Sequence, residues 1–257
     1  MIRLITRENY ARLKTFCELT ELGGQAPFAC KILSTAAAYG TELPFAQFWL
    51  QTTDGGRPVA AVSKLDDILT LCTASGANYQ ELKELISILN VKFVLCNLSA
   101  TQAMNLKIAQ QGEIMVYKKQ EPLSAQDFED NPDLEEVHKL LCACETESFT
   151  PPEFEPFYLD MSHRVRHGTA RAVGIQKENA LISCAIAVAR TEQAAVLSAV
   201  ATHPDYQHKG FGSRAVLALL SLLPQEQIFI FRAQNENAAF YRSLRFGPYG
   251  QWAEADL

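Results

Sequence analysis

The stretch Val200-Ala-Thr-His-Pro-Asp-Tyr-Gln-His-Lys-Gly-Phe-Gly-Ser213 connects an apolar segment to a helical one and decides the fold of the second half of this chain. The preceding segment, Ala194–Val200, is small, apolar and partly β-branched, which is typical of a buried strand. The following segment, Val216–Leu223, has helical length and ends before a proline. Gly210 and Gly212 therefore fall at the first turn of a helix, where glycine lets a ligand approach and free N–H groups attract anions. The sequence predicts an anion site at this turn.

Two common phosphate-binding motifs do not fit this turn. A dinucleotide-binding loop would need a third glycine, where this chain has Ala215, and an acidic residue about 20 positions later. The Gly-Lys-Ser/Thr sequence of the P-loop that binds nucleoside triphosphates is also missing. What matches is Pro204-x-x-Gln207-x-x-Gly210-x-Gly212, which resembles the pyrophosphate loop of the GCN5-related N-acetyltransferases (GNAT). Downstream, Asn235 to Phe246 is similar to the Asn…Ala…Tyr…Gly-Phe helix of the same family.

The resemblance implies a mixed α/β (α+β) fold of the acyl-CoA N-acyltransferase type, with a mostly antiparallel central sheet flanked by helices. It also implies acetyl-CoA as co-substrate and Tyr241 as the catalytic acid that protonates the leaving thiolate. Gln207 stands where the family has Gln or Arg. The residues that the resemblance assigns to the coenzyme are Val200, Ala201, Thr202, His208, Lys209, Gly210, Phe211, Gly212, Ser213 and Asn235.

The chain departs from the family pattern in three ways. The interval from Asn235 to Tyr241 is one residue short, and Arg245 replaces the glycine that would end the helix. Some family members carry a general base, Glu, five residues before the Asn, where this chain has Ile230. A base would have to come from elsewhere, and the candidates are a water chain or one of Glu192, Glu236 and His203.

The chain's 257 residues suit either one large core or two ordinary domains, and the organisation favours two. Residues 119–132 are polar, acidic and flanked by prolines, which indicates a linker, and Asn131-Pro132 predicts a helix start. We therefore expect a degenerate GNAT-like domain at 1–118 and a catalytic GNAT domain at 133–257. The first domain would be a decayed tandem copy, because its counterpart loop, Thr73–Tyr79, has one Gly and no basic residue.

Hydrophobic periodicity predicts the same order of elements in both halves. In the second half we expect helices at 133–146, 153–166 and 236–244, and strands at 170–176, 180–189, 194–202, 227–232 and 249–254. In the first half we expect helices at 7–20, 28–38, 79–89 and 101–111, and strands at 45–50, 58–62, 68–72, 91–96 and 113–117.

Composition limits the functional classes. A net charge of −6 argues against nucleic acid as a partner, and no apolar run approaches a membrane span. With no signal peptide pattern at the N-terminus, we expect a cytoplasmic protein. The seven cysteines predict buried free thiols, and neither Cys142 with Cys144 nor His163 with His167 suggests a metal site.

The resemblance predicts an enzyme that transfers an acetyl group from acetyl-CoA to a primary amine of a small molecule or peptide. The acidic stretch Glu145–Glu155 would attract a cationic acceptor, whereas Arg164, Arg166 and Arg171 would attract an acidic one. The alternatives are a non-catalytic acyl-CoA-binding or sensing protein and an interaction scaffold. Acceptor, general base and oligomeric state stay open.

Overall fold

The structure, a computed structural model, describes residues 1–21, 24–120, 123–146, 149–234 and 236–257. The chain divides into two compact units. The first comprises Met1–Met115, Phe231–Glu236 and Pro248–Leu257, and the second comprises Val116–Ile230 and Asn237–Gly247. The last strand of the chain, which the sequence order assigns to the second half, thus has its contacts in the first unit.

The first unit is a sheet flanked by helices. Strands β1 to β4 pair antiparallel in chain order, β4 pairs parallel with β5, and β5 pairs antiparallel with the C-terminal strand β12. The bounds are β1 Ile2–Leu4, α1 Tyr10–Glu21, α2 Ala26–Tyr39, β2 Ala46–Thr52, β3 Pro58–Leu65, β4 Ile68–Thr73, α3 Tyr79–Ile88, β5 Phe93–Asn97, α4 Leu98–Ala103, β6 Lys107–Lys118 and β12 Gly247–Asp256. Strands β6, β11 (Gln227–Ala233) and β12 cross the unit boundary.

The second unit repeats this pairing scheme. Strands β7 to β10 pair antiparallel in chain order, and β10 pairs parallel with β11. The bounds are β7 Glu129–Asp130, α5 Leu134–Ala143, α6 Phe154–Arg166, β8 Arg171–Lys177, β9 Ala180–Arg190, β10 Ala194–Thr202, α7 Phe211–Leu222, β11 Gln227–Ala233 and α8 Ala238–Ser243. The repeated order of antiparallel strands followed by one parallel strand gives each unit the same topology.

Each unit forms its core in the way that the apolar pattern predicts. Helix α3 places Leu82 and Ile86, one turn apart, against Val62 and Leu71 of the first unit's sheet. In the second unit, α5 places Val137, Leu140 and Leu141 against the sheet. Burial of these side chains is the main stabilising contribution of each helix.

The predicted helix at 101–111 is wrong. Helix α4 ends at Ala103, and the chain is a strand from Lys107 onwards. Asn105 lies between them with a φ of 51°, a left-handed conformation that ends a helix. The turn at Asn105 therefore overrides the helical spacing of apolar residues in this segment.

The start of helix α5 also differs from the prediction. Asn131 does not cap helix α5, because its side chain accepts a hydrogen bond from the Ala172 amide at 3.1 Å. Asp133 is the cap, and its carboxylate accepts from the amides of Glu135 and Glu136 at 2.7 and 3.3 Å. Part of the predicted linker is the short strand β7, which pairs with β8.

Five of the seven cysteines are buried free thiols, as predicted, but Cys142 is exposed and Cys144 is half-buried. Helix α5 ends at Ala143, so both of these thiols lie at its exposed end. Among the described residues, no helix combines the length and apolar character needed to cross a membrane.

Candidate functional site

Strands β10 and β11 separate part of the way along their length. Their parallel pairing runs from Ala194 with Gln227 to Leu197 with Ile230 and stops there. Ser198, the next residue of β10, is exposed, and the ladder to β9 is irregular between Leu197 and Val200. The edge of β10 from Ser198 to Thr202 therefore forms no ladder with β11. Its backbone groups can pair with an extended ligand, as a strand would.

The loop after β10 is tied back onto the end of the strand. The carbonyl oxygen of Thr202 accepts hydrogen bonds from Nε2 of Gln207 at 3.2 Å and from Sγ of Cys144 at 3.3 Å. Nδ1 of His203 accepts from the Asp205 amide at 3.3 Å and begins a single 3₁₀ turn. Gln207 thus positions the loop, a role that its place in the motif did not reveal.

Helix α7 begins without a side-chain cap. His208 and Gly210 have φ values of 58° and 83°, which bend the chain into the helix. Gly210 occupies the cap position, and no side chain accepts from the first turn. The backbone N–H groups of residues 208–213 donate to no described residue, and the first helical bond runs from the Arg214 amide to the Gly210 carbonyl at 3.0 Å. These groups and the helix dipole can bind an anion, and we call residues 208–213 the candidate anion site.

Two lysines flank this anion site. Nζ of Lys209 donates to the Asp205 carbonyl at 2.7 Å and lies 5.5 Å from the centre of the Tyr206 ring. Nζ of Lys177, at the end of β8, lies 5.2 Å from the same centre. Both distances permit cation–π attraction. The sequence motif gave no signal for Lys177, which is far from the loop along the chain.

Gly212 marks the point where β10, α7 and α8 meet. A Cβ atom on Gly212 would lie 3.1 Å from Oγ1 of Thr202 and 3.7 Å from the ring of Phe240. The spacing leaves little room for a larger residue. The predicted coenzyme residues of β10 and α7 are therefore brought together in space.

Tyr241 lies in α8 and is only 6% exposed. Its ring packs on Phe240 and Phe246, with centroid distances of 5.0 and 5.6 Å. Burial raises the pKa of its phenol to about 12. Its hydroxyl forms no hydrogen bond with the described part of the chain. Because the pKa is raised, the phenol is protonated at neutral pH and has a proton to donate.

The candidate bases differ in position. Glu192 is exposed in the turn before β10, and the nine-residue strand places it about 30 Å from the loop. His203 is already an acceptor for Asp205, and Ile230 is 1% exposed in β11. The Glu236 carbonyl accepts from Nη1 of Arg232. Asn235, predicted to bind the coenzyme arm, lies outside the described residues.

The charges near α5 and α6 are unequally paired. Arg164 is buried and bonds to Asp160 at 2.7 Å, and Arg171 makes a two-point contact with Asp130 at 2.7 and 2.9 Å. The exposed carboxylates that join the helices form no ion pair with the described residues; these are Glu145, Glu153 and Glu155. Arg166, which is also exposed, donates to the Ser162 carbonyl and forms no ion pair with the described residues, so three unpaired carboxylates face one unpaired arginine at this surface.

The equivalent turn of the first unit is closed. Oδ1 of Asn78 accepts from the Glu81 amide at 3.1 Å and caps helix α3. Glu81 also places a carboxylate in the first turn, where Nε2 of Gln51 donates to it at 2.7 Å. A negative side chain and a filled cap occupy the space that an anion would need.

Residues 134–246 match the model of the Acetyltransferase (GNAT) family. A search of curated proteins found no significant match. Among solved structures, a tandem GNAT protein from the clavulanic acid biosynthesis pathway has a TM-score of 0.63 at 13% identity, and the match covers 99% of this chain and 97% of that one.

Two further structures extend this comparison. A GCN5-related N-acetyltransferase from Sphaerobacter thermophilus has a TM-score of 0.62 at 13% identity, with 99% of this chain and 94% of that chain covered. A Drosophila protein has a TM-score of 0.68 at 12% identity, with 100% and 98% covered. The whole chain thus has the fold of the tandem GNAT structure, and its C-terminal part, residues 134–246, matches the model of the GNAT acetyltransferase family.

Proposed function

We propose that this chain is an N-acetyltransferase whose C-terminal half, residues 133–257, moves an acetyl group from acetyl-CoA to a primary amine. The observation that carries the proposal is the open edge of β10, which leads directly into the uncapped first turn of α7. A pantetheine arm needs backbone partners along its length, and a pyrophosphate needs N–H donors at its end. Both requirements are met in the order in which coenzyme A presents them.

The coenzyme-binding roles follow the chain. Val200, Ala201 and Thr202 pair with the pantetheine amides, and residues 208–213 bind the pyrophosphate through their N–H groups. Lys177 and Lys209 add positive charge beside that loop. Asn235 completes the set as a hydrogen-bond partner of the coenzyme arm.

The chemistry requires one bond to form and one to break. The amine nitrogen attacks the thioester carbonyl, a C–N bond forms, the C–S bond breaks, and the thiolate takes a proton from Tyr241. The proton that the nitrogen loses passes through water to the Tyr241 phenolate, which restores the phenol. The buried phenol suits this task because its raised pKa keeps the proton on oxygen at neutral pH. The unpaired carboxylates Glu145, Glu153 and Glu155 favour a cationic acceptor over an acidic one.

Calorimetric titration with acetyl-CoA tests the coenzyme site, with desulfo-CoA as a comparison ligand. We expect one site per chain, and we expect Gly212→Val to weaken binding at least tenfold, since its side chain would project at Thr202 and Phe240. Gly247→Val is the matched control, because a Cβ there meets open space. Tight binding by Gly212→Val, with its circular dichroism unchanged, would remove this loop from the coenzyme site.

A second candidate is a non-catalytic protein that binds acyl-CoA. The buried Ile230, where some family members carry a base, favours it. Thiol release measured with a panel of amines separates the two functions. Amine-dependent release of coenzyme A supports the enzyme, whereas coenzyme binding without release from any amine supports the binding protein.

A further inference from the structure

The first unit contains a cavity that the proposed function does not use. It has a volume of about 690 Å³ and lies between α1, the start of β3 and the end of β4. The lining residues that matter for its chemistry are Arg12, Phe16, Leu19, Gln25, Arg57 and Thr73. Its size is that of an ordinary small-molecule site.

The wall that α1 contributes is apolar. Phe16 is buried at 7% exposure, whereas Leu19 on the same helix is 67% exposed. Pro58 adds a further apolar surface from β3. A ligand chain lying on this wall would remove the Leu19 side chain from water, which is favourable.

Two arginines, Arg12 and Arg57, line this cavity. Nη2 of Arg12 donates to the Gly56 carbonyl at 3.1 Å, and Gly56 is the residue before Arg57. Nη2 of Arg57 donates to the Ser75 carbonyl at 3.2 Å. Neither arginine has a carboxylate within 4.0 Å among the described residues. Their unused N–H groups and two uncompensated charges match a ligand carboxylate.

Gln25 adds an unpartnered hydrogen-bond acceptor beside this cavity. Its Oε1 atom is buried and has no hydrogen-bond partner in the described part of the chain. A buried acceptor is normally satisfied, and a hydrogen-bond donor on a ligand would satisfy this one. A carboxylate cannot donate, but an amide N–H can.

We propose that this cavity binds an N-acyl amino acid, with its acyl chain on Phe16 and Leu19. Its carboxylate pairs with Arg12 and Arg57, and its amide N–H donates to Oε1 of Gln25. Coenzyme A is not the ligand, because Asn78 and Glu81 close the first turn of α3, where its pyrophosphate would bind. The proposal does not depend on coenzyme binding by the second unit.

Calorimetric titration of the full chain with N-octanoylglycine tests this proposal. We expect one site for N-octanoylglycine, and we expect two analogues to bind about tenfold more weakly or worse. The methyl ester removes the negative charge, and N-octanoylsarcosine replaces the N–H by N–CH₃. Hydrogen exchange of residues 10–21 should slow when N-octanoylglycine is added and should not slow with either analogue.

Variants locate the site within the chain. Arg12→Gln and Arg57→Gln should each weaken N-octanoylglycine binding about tenfold, since each removes a charge-assisted hydrogen bond. Lys14→Gln is the matched control, because Lys14 lies on the same helix outside the cavity lining and should bind like the parent. All three positions are exposed, so folding should be preserved.

The proposal is overturned by any of three results. These are no binding of N-octanoylglycine, unchanged binding of either analogue or of both arginine variants, and displacement of N-octanoylglycine by acetyl-CoA. The last result would assign the cavity to the coenzyme.

Discussion

At the scale of single residues, the second unit keeps one reactive hydroxyl in an apolar setting. Tyr241 packs on Phe240 and Phe246, and its hydroxyl makes no hydrogen bond to the described residues. Burial disfavours the phenolate and raises the pKa of Tyr241 to about 12. The raised pKa keeps the proton on the phenol at neutral pH, so Tyr241 can act as a proton donor and not as a base.

Replacing Tyr241 by Phe should lower kcat for acetyl transfer by about 100-fold and leave the Kd for acetyl-CoA within about twofold. The ring is kept, so packing changes little and only the proton is lost. Steady-state kinetics and calorimetry measure the two quantities. Tyr117→Phe is the control, because Tyr117 is also 6% exposed and packs on the same Phe246. Equal kcat values for both variants would exclude Tyr241 as the acid.

Arg245 is a second residue whose conformation matters. It stands where the family has Gly, and it has a φ of 66°, so the turn after α8 is kept at a cost in backbone strain. The amide of Phe246 still bonds to the carbonyl of Tyr241 at 3.0 Å, which closes the helix end. The missing glycine changes the energy of this turn and not its shape.

Arg245→Gly should raise the free energy of unfolding by about 0.5–1 kcal/mol, because glycine adopts positive φ without strain. Arg242→Gly should lower it by about 1 kcal/mol, since Arg242 lies within α8. Urea unfolding followed by far-ultraviolet circular dichroism gives both values. A destabilised Arg245→Gly protein would contradict the strain argument.

At the scale of elements, helices α3 and α7 follow equivalent strands but begin in opposite ways. Helix α3 has Asn78 as a side-chain cap and Glu81 in its first turn, whereas α7 begins at Gly210 with its N–H groups unused. The first arrangement stabilises the helix by itself, and the second leaves that stabilisation to a bound anion. One topology thus carries a side-chain cap at this turn in one unit and open N–H groups at the same turn in the other.

Asn78→Ala should lower the free energy of unfolding of the first unit by about 1 kcal/mol, because the Glu81 amide loses its acceptor. Asn78→Asp keeps an acceptor oxygen and should retain most of that stability. The fluorescence of Trp49 and Trp252, which both lie in the first unit, reports this unfolding in urea. The proposed cap would be rejected if both variants unfolded at the parent's urea concentration.

At the scale of the whole molecule, buried thiols occur in both units. Burial raises the pKa of Cys96 in the first unit to about 11 and that of Cys184 in the second unit to about 12, from ordinary values near 9. The same cause holds the pKa of Cys17 and Cys72 well above the usual range. The folded chain therefore keeps these thiols protonated at pH values where the unfolded chain ionises them.

The contribution of these thiols to the free energy of unfolding should be fully present below about pH 8.5. It should fall as the pH rises from 9 towards 11. Each thiol that ionises only on unfolding contributes a slope of about 1.4 kcal/mol per pH unit. Urea titrations at several pH values should give a shallower fall for Cys184→Ala than for the parent. Cys142→Ala, which removes an exposed thiol, should leave the fall unchanged. Equal slopes for all three proteins would refute this origin.

The sequence by itself determined most local structure and the identity of the candidate loop. Periodicity placed α5 to α8 and β8 to β11 within a few residues of their observed ends, because these segments bury one consistent face. The glycine spacing predicted the open start of α7, since only backbone geometry is involved there. Periodicity failed at 101–111, where a single left-handed residue, Asn105, ends the helix.

Only the tertiary structure decided features that depend on residues distant along the chain. The sequence could not show that the last strand pairs with β5, that Lys177 reaches Tyr206, or that Gln207 and Cys144 share the Thr202 carbonyl. It also could not show the cavity between Arg12 and Arg57, whose walls come from separate elements. Local patterns encode which face of an element is buried, whereas sites arise where elements meet, and that meeting is fixed by packing of the whole chain.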